Sequence, residues 1–404
     1  MTRTASGIAI ACAMCFGLFA SGAAAGTGTG GSCRAGQIRT ASGCTSFAAA
    51  GRRVRKIVNQ VARDDDLRAV LARVDVGDRT LAALASGHSM AGVPANLRMH
   101  FRIGSIAIPY LIDVLLQLQD RGRLSLDDPV ARWFPHLPNA NSVTLRMLAS
   151  ASSGYPDWIQ GNPGFLRALL ADPFRQWTEQ QLLDAAFSQP LICRPGACFH
   201  YSHTGFVILG RVVEKVTRTS LARLMHTRVF RPLGLRNTDI SALPAIPQPV
   251  LHSYINARGP YEESTYWSPS WGISKDLLMT STIADVIKSA KALGRGALIS
   301  RKASQQRIAP ITAGLTPVPA GPPISHRLYY GLGVLVANGW QFQNPELNGW
   351  TSIMAVLPSR RIAIALSVTE GQRAAGTSTN YSERLLRKLA EYLTPTRPVA
   401  PPNS

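Results

Sequence analysis

The sequence predicts an α+β fold: an antiparallel β-sheet flanked by helices, with a helical subdomain at about 120–255. Three observations carry this. Strand-like runs lie near both ends of the chain, at 67–84 and again at 329–368. Helix-period runs occupy the stretch between them. One of these, 105–122, follows directly on a short extended run, 99–103.

The elements follow in order. Residues 47–62 read as an amphipathic helix. Residues 67–74 and 79–84 alternate around Gly77-Asp78, a hairpin signal. After the extended run comes Gly104, then a helix whose apolar residues Ile108, Leu111, Ile112, Leu115, Leu116 and Leu118 recur at helical spacing. Pro109 is tolerated in its first turn, where N–H groups lack partners, and Gly122 closes it. Further helices are expected at 143–149, from about 165 to 187, at 204–216 and at 221–229. Residues 240–270 are Pro- and Ser-rich connections. A helix at 282–293 precedes a Pro/Gly loop at 314–323 and strands at 329–336, 340–343, 350–357 and 362–368. A closing helix spans 382–393.

The chain has 404 residues, enough for one large domain or two. We expect a signal peptide at 1–25, a linker bearing Cys33 and Cys44 at 26–46, one domain at 47–394 and a disordered tail at 395–404. The first segment has Arg3, an apolar run at 8–19 and Ala23-Ala24-Ala25, the pattern of a secretory signal with an A-x-A cleavage site. The run is short for a membrane span, and no other segment suggests one after cleavage. The expected location is thus outside the cytoplasm, secreted or in a bacterial cell envelope. Removal of Cys12 and Cys15 leaves Cys33, Cys44, Cys193 and Cys198. An even count in an exported chain suggests two disulfides, most simply Cys33–Cys44 and Cys193–Cys198. A zinc site is the alternative, but no histidine pair has ligand spacing beside them.

Net charge is +20, from 43 Lys+Arg against 23 Asp+Glu. Nearly all the excess is arginine, scattered rather than blocked. No basic, aromatic-interleaved run or nucleic-acid motif is present, so nucleic acid is not an expected partner. No cofactor is implied.

Ser105 stands at a strand-to-helix corner, beside amide groups without partners and the positive end of a helix dipole. A nucleophile or an anionic ligand suits that place. Serine is also a preferred N-cap residue, so a plain cap is the competing reading. Ile108 is not the Glu or Gln that would complete a capping box.

The segments FRIGS, LLQLQDRGRLSLDDPVARWFP, VTLRML, SSGYPDW, RPGACFHYSHTGFVILGRVVEKV and RPLGLRNT, in this order and spacing, resemble the class C β-lactamase and D-alanyl-D-alanine carboxypeptidase family, whose relatives include serine esterases. YGLGVLV and GWTSIMAVLP resemble its closing strands. The resemblance spans roughly 97–368. It implies attack on an acyl carbonyl by a serine opening an S-x-x-K motif, where one helical turn brings the lysine amine under the hydroxyl. It further implies a Y-x-N motif, whose tyrosine shuttles protons, and a K-T-G or H-x-G motif on an edge strand.

The chain departs from this pattern at all three motifs. The serine is Ser105, but the lysine position is Ile108. The second motif reads Tyr201-Ser202-His203, with histidine for asparagine. The third falls on Gln343-Asn344-Pro345 or, with a gap, on Leu347-Asn348-Gly349, neither with a lysine or histidine. Ala151-Ser152-Ser153-Gly154 stands where the family often has H-T-S-G. Ile108 cannot hold a proton, and loss of one member of a catalytic unit commonly costs on the order of 10⁴ in rate.

Two functions compete. One is a weak or non-catalytic binder of acyl-peptide or cell-wall ligands, with Gln343, Asn344 and Asn348 as candidate ligand-binding residues in a cleft floored by Ser105. The other is a serine esterase or hydrolase in which Tyr201 or His203 deprotonates Ser105; an unperturbed imidazole, with a pKa near ~6.5, suits that work. His200, a few positions before His203, makes a histidine in this segment less distinctive, and Lys275, after the Ser-Pro-Ser-Trp-Gly segment, is the candidate lysine for the cleft.

Overall fold

A computed structural model describes residues 33–320 and 323–399. The expected signal peptide and residues 26–32 of the expected linker lie outside them. Eight segments run antiparallel, in the spatial order Leu328–Tyr330, Leu335–Ala337, Trp340–Gln343, Trp350–Leu357, Ile362–Glu370, Leu67–Val76, Arg79–Met90 and Val93–Pro94, and Glu346–Leu347 pairs with Trp350–Leu357 as a ninth. The two ends of the chain thus meet in mid-sheet, with Leu366 opposite Ala72. Both strands at this seam are rich in small and β-branched residues that bury their side chains.

Helices cover both faces. Successive strand residues point to opposite sides. Ser382, in the Tyr381–Leu393 helix, donates its amide to Thr351 Oγ1, while Gly294, in the Ile283–Arg295 helix, packs on Val356. Residues 351 and 356 differ by an odd number, so the two helices lie on opposite faces. The Phe47–Asp64 helix, capped by Ser46, packs over the Leu67–Val76 and Arg79–Met90 strands.

The Ala107–Asp120 helix lies behind the Ile283–Arg295 helix, linked to it by the Tyr110 hydroxyl donating to Ser289 Oγ at 2.7 Å. The sequence suggests a single apolar stripe here, but Ala107 through Leu118 are buried without a break. A helix buried on all sides has no polar face to solvate. Its two polar exceptions have internal partners: Asp113 meets Arg307, and Gln117 meets the Arg228 carbonyl.

Several expected boundaries shift for identifiable reasons. The run at about 165–187 is two helices, Pro163–Ala171 and Glu179–Phe187, separated at Asp172-Pro173, and Thr178 forms a capping box with Gln181. The expected strand at 329–336 is two, Leu328–Tyr330 and Leu335–Ala337, folded back around Gly331-Leu332-Gly333. Part of the expected linker, 37–46, is a two-stranded hairpin closed by the Cys33–Cys44 disulfide. Part of the expected disordered tail is docked: the Pro398 and Arg397 carbonyls accept from Asn338 and from the Trp340 indole, and Val399 is buried. A cavity of about 410 Å³ opens beside the N-terminal hairpin, lined by Cys33, Gln37, Ile38, Arg39, Val76 and Arg360. None of these residues belongs to the Ser105 region. Among the described residues, no helix is long and apolar enough to cross a membrane.

Candidate active site

The corner bearing Ser105 is built by sterics. The Phe101–Arg102 strand pairs with Met279–Ser281, and Ile103 still donates to the Met279 carbonyl at 3.1 Å. The chain then turns at Gly104, whose φ is +47°. A Cβ there would lie 2.7 Å from Pro345 Cβ, so both the backbone conformation and the space demand glycine. Ser105 sits in the 3₁₀ turn Gly104–Ile106, which leads into the Ala107–Asp120 helix. It makes no side-chain cap there. Its Oγ instead lies 2.8 Å from the Tyr201 hydroxyl. The competing reading of Ser105 as a plain N-cap therefore fails: its hydroxyl is aimed across the structure, not at its own helix.

Tyr201 is only 6% exposed and is held on every side. The Cys193–Cys198 disulfide clamps the turn before it, with Cα atoms 6.2 Å apart. Cys198–Phe199 then pairs in parallel with Thr316–Pro317, and the His200 amide donates to the Ala151 carbonyl at 2.8 Å. Around the ring stand Phe206, Tyr330 and His203, at centroid distances of 5.9, 6.0 and 5.2 Å. His200 Nδ1 donates to the Val318 carbonyl at 2.8 Å, which commits that ring to the neighbouring segment.

Ile108, one turn after Ser105, is fully buried. It packs with Ile112 against Gly333, where a Cβ would meet Ile112 Cγ1 at 2.5 Å and Ile108 Cγ2 at 2.9 Å. Gly333 has φ +65° and donates its amide to Ala149. The site therefore has an apolar floor at the place where the family pattern puts an amine. Lys275 does not supply one: its Nζ pairs with Asp276 at 2.9 Å and its side chain is mostly exposed.

His203 begins the His203–Thr217 helix. Ser202 provides no side-chain cap; Asp157, from the loop after Gly154-Tyr155-Pro156, does so from across the structure. Asp157 Oδ2 accepts the His203 amide at 2.7 Å and the ring Nδ1–H at 2.8 Å, while Oδ1 accepts the Ile159 and Gln160 amides at 2.8 and 2.9 Å. Burial on its own would push this carboxyl up. The His203 charge and hydrogen bond, with the Gln160 and His203 amides, outweigh burial and hold it below the usual carboxylate range. The His203 ring contacts both Tyr201 and Trp158, with ring centroids 5.2 and 5.5 Å away. Asp157 was not singled out from the sequence. Its signal was an acid just after the Gly-Tyr-Pro turn, together with a helix start at His203 lacking an acidic first turn.

The three residues expected to bind ligand are each engaged inside the protein. The Gln343 side chain donates to the Gly333 carbonyl at 2.7 Å and to the Tyr330 hydroxyl at 3.2 Å. Asn344 donates to Glu383 at 2.6 Å, and its carbonyl accepts from Asn380. Asn348, at φ +47°, forms with Gly349 the two-residue turn between Leu347 and Trp350. Asn-Gly is a strong turn signal, which explains this pair more directly than a displaced catalytic motif. Among the described residues no group of three or more His, Cys, Asp or Glu is placed to hold a metal ion.

Comparison with known proteins agrees with this fold. The chain is 25% identical over 325 residues to penicillin-binding protein 4* of Bacillus subtilis, an alignment covering 74% of this chain and 66% of that protein. It is 31% identical over 205 residues to esterase EstB of Burkholderia gladioli, covering 48% of this chain and 52% of that one. The alignments thus span between about half and two thirds of these curated relatives. Among solved structures, a D-stereospecific amidohydrolase from Streptomyces sp. superimposes with a TM-score of 0.69 at 25% identity, covering 84% of this chain and 98% of the other. D-amino acid amidase from Ochrobactrum anthropi SV3 shares the fold at a TM-score of 0.72 and 23% identity, covering 84% and 98%. The beta-lactamase family profile matches residues 54–388, across the sheet, the Ser105 corner and the Tyr201 segment alike, and the chain belongs to the beta-lactamase family.

Proposed function

We propose that this chain is an exported serine hydrolase of weak acyl-transfer activity, acting on an ester or amide of the acyl-peptide class. Ser105 is the nucleophile and Tyr201 its proton acceptor. The observation that carries this reading is the 2.8 Å contact between Ser105 Oγ and the Tyr201 hydroxyl, within the reach required of a nucleophile and its base. In the first step Tyr201, as its phenolate, takes the Ser105 proton as Oγ bonds to the carbonyl carbon, and the π pair moves onto the carbonyl oxygen. Collapse of that intermediate expels the leaving group, which takes the proton back from Tyr201. Water then releases the acyl group by the same steps reversed. Tyr201 is better placed than His203 to be the base, because its hydroxyl lies at hydrogen-bond distance from Ser105 Oγ, whereas the His203 ring packs on the Tyr201 ring. Export is supported by the signal-like first residues and by the two disulfides, which persist in oxidising surroundings.

A second reading rests on Ile108. An aliphatic side chain sealed against Gly333 cannot accept or hold a proton, which favours a protein that retains acyl-peptide or cell-wall ligands without turning them over. Intact-mass spectrometry after exposure to a fluorophosphonate or a penicillin decides between the two. An adduct on the wild type, absent from Ser105→Ala, supports the hydrolase. Equal inertness of both proteins leaves the binder.

A further inference from the structure

We propose that the Asp157–His203 pair performs the electrostatic task of the missing amine. His203, as an imidazolium, is a positioning residue that orients Tyr201 on Ser105 and favours its phenolate form. This rests on the hydrolase reading of Ser105 and Tyr201, and assigns to two further residues the charge that reading lacks.

Four observations support it. First, the place of the amine is closed: Ile108 and Ile112 fill the space below Gly333. Second, a cation has a prepared seat elsewhere. Asp157 is fully buried and accepts three backbone amides besides the ring Nδ1–H, so it remains a carboxylate and leaves one negative charge for the imidazole to balance. Third, the ring lies against Trp158, with centroids 5.5 Å apart and planes tilted by 38°, and an aromatic ring at this range attracts a cation. The indole is itself fixed, donating to the Trp271 carbonyl at 2.7 Å. Fourth, the ring is edge-on to Tyr201, with centroids 5.2 Å apart and planes at 85°. The charge is thus close to the phenol in a site largely shut off from water, where screening is weak.

The ring faces Asp157 from the loop before Trp158, Tyr201 from the segment after Cys198, and the uncharged Trp158. Ser105 lies beyond Tyr201. In the acylation step the imidazolium keeps both its protons. The transferred proton moves only between Ser105, Tyr201 and the leaving group, so the pair acts through its field and by fixing the phenol.

The test uses the full chain and two readouts. One is the second-order rate of Ser105 labelling by a fluorophosphonate between pH 5 and 10, for wild type, His203→Asn and Asp157→Asn. The other is the ionisation of Tyr201 followed by ¹³C-tyrosine NMR, with Tyr201→Phe to assign the signal. Asparagine at 203 can still hydrogen-bond Asp157, and thermal melts identify any variant that fails to fold. Labelling at pH 7 is expected to fall about tenfold in His203→Asn, with the alkaline rise of the profile moved up by about one pH unit, and the Tyr201 ionisation moved with it. Asp157→Asn is expected to shift both in the same direction. A His203→Asn profile of unchanged midpoint, even at lower amplitude, together with an unmoved Tyr201 ionisation, would reduce the pair to scaffold and overturn the inference. If the wild type takes no label at any pH, the hydrolase reading falls on its own. The tyrosine measurement then still decides whether His203 acts on Tyr201.

Discussion

On the helix side of Ser105 the next turn presents Ile108, sealed by Ile112 against a glycine; on the loop side Tyr201 meets the serine hydroxyl and leads back through His203 to Asp157. Both sides are tightly packed, and both are buried. They differ in that one contains only carbon, whereas the other is a chain of polar groups each fixed by a partner. The contrast shows that an apolar helical turn can stand beside Ser105 while its hydroxyl stays ordered on the polar side. Packing accepts an aliphatic group wherever its volume fits. A buried polar chain persists only when every member is satisfied, and Asp157, with four accepted hydrogen bonds, meets that condition.

The sharpest way to break this comparison is Tyr201→Phe. It keeps the ring and removes the hydroxyl that lies 2.8 Å from Ser105 Oγ. We expect Ser105 labelling to slow by about 10²–10⁴, the usual contribution of a general base, with little change in melting temperature. Asp157→Ala attacks the same side through stability. It leaves the His203, Ile159 and Gln160 amides and the imidazole without their acceptor. A loss of about 3–5 kcal/mol in urea unfolding is expected, as for other buried pairs deprived of one partner.

On the apolar side, Gly333→Ala should cost about 1–3 kcal/mol, because its Cβ meets both isoleucines and its φ is positive. Adding Ile108→Ala should recover part of that loss, and the non-additivity in a double-mutant cycle measures the contact directly. Ile108→Lys is expected to raise ester hydrolysis roughly tenfold, a small part of the ~10⁴ that removing a catalytic member commonly costs. No gain would mean that the apolar floor is not what limits the reaction.

The smallest effect expected is a pH dependence set next to the Ser105 corner. Burial pushes the Glu346 carboxyl, beside Pro345, up to about 8, and burial together with the charge of Glu346 pushes Glu370 up to about 8. A carboxyl raised in the folded state favours the protonated, folded form. Stability from this source is full below the unfolded value near 4.5 and is lost as pH rises towards 8. Asp157 works in the opposite sense: its lowered value adds stability that is lost as pH falls below the ordinary carboxylate range. Melting temperatures between pH 5 and 8 should therefore decline in the wild type and decline less in Glu346→Gln. A slope unchanged by the substitution would remove Glu346 from this account.

Much of the scaffold was legible because local rules decided it. The Gly77-Asp78 hairpin, the short helix expected at 143–149 and the apolar spacing of 105–118 each follow from residues within a few positions of one another. Both cysteine pairs likewise follow from an even count at short separations, 11 and 5 residues. Ser105 and Tyr201 were legible as a pair through the family pattern. Errors arose where a local signal was overridden or carried a second meaning. Residues 329–336 alternate like one strand, yet the two glycines of Gly331-Leu332-Gly333 allow the chain to fold back. Asn348-Gly349 matched a motif register but forms a turn.

The order and type of the main elements, the cysteine pairing and the isoleucine one turn after Ser105 are properties of sequence alone. They depend on spacing along the chain, and an isoleucine has no proton to exchange in any fold. Only the tertiary structure decided that the Ser105 hydroxyl turns to Tyr201 instead of capping its own helix. The same holds for Asp157, 46 residues before His203, which closes on that imidazole. Hydrogen bonds between side chains depend on distances that folding creates, and separation in sequence carries almost no information about them.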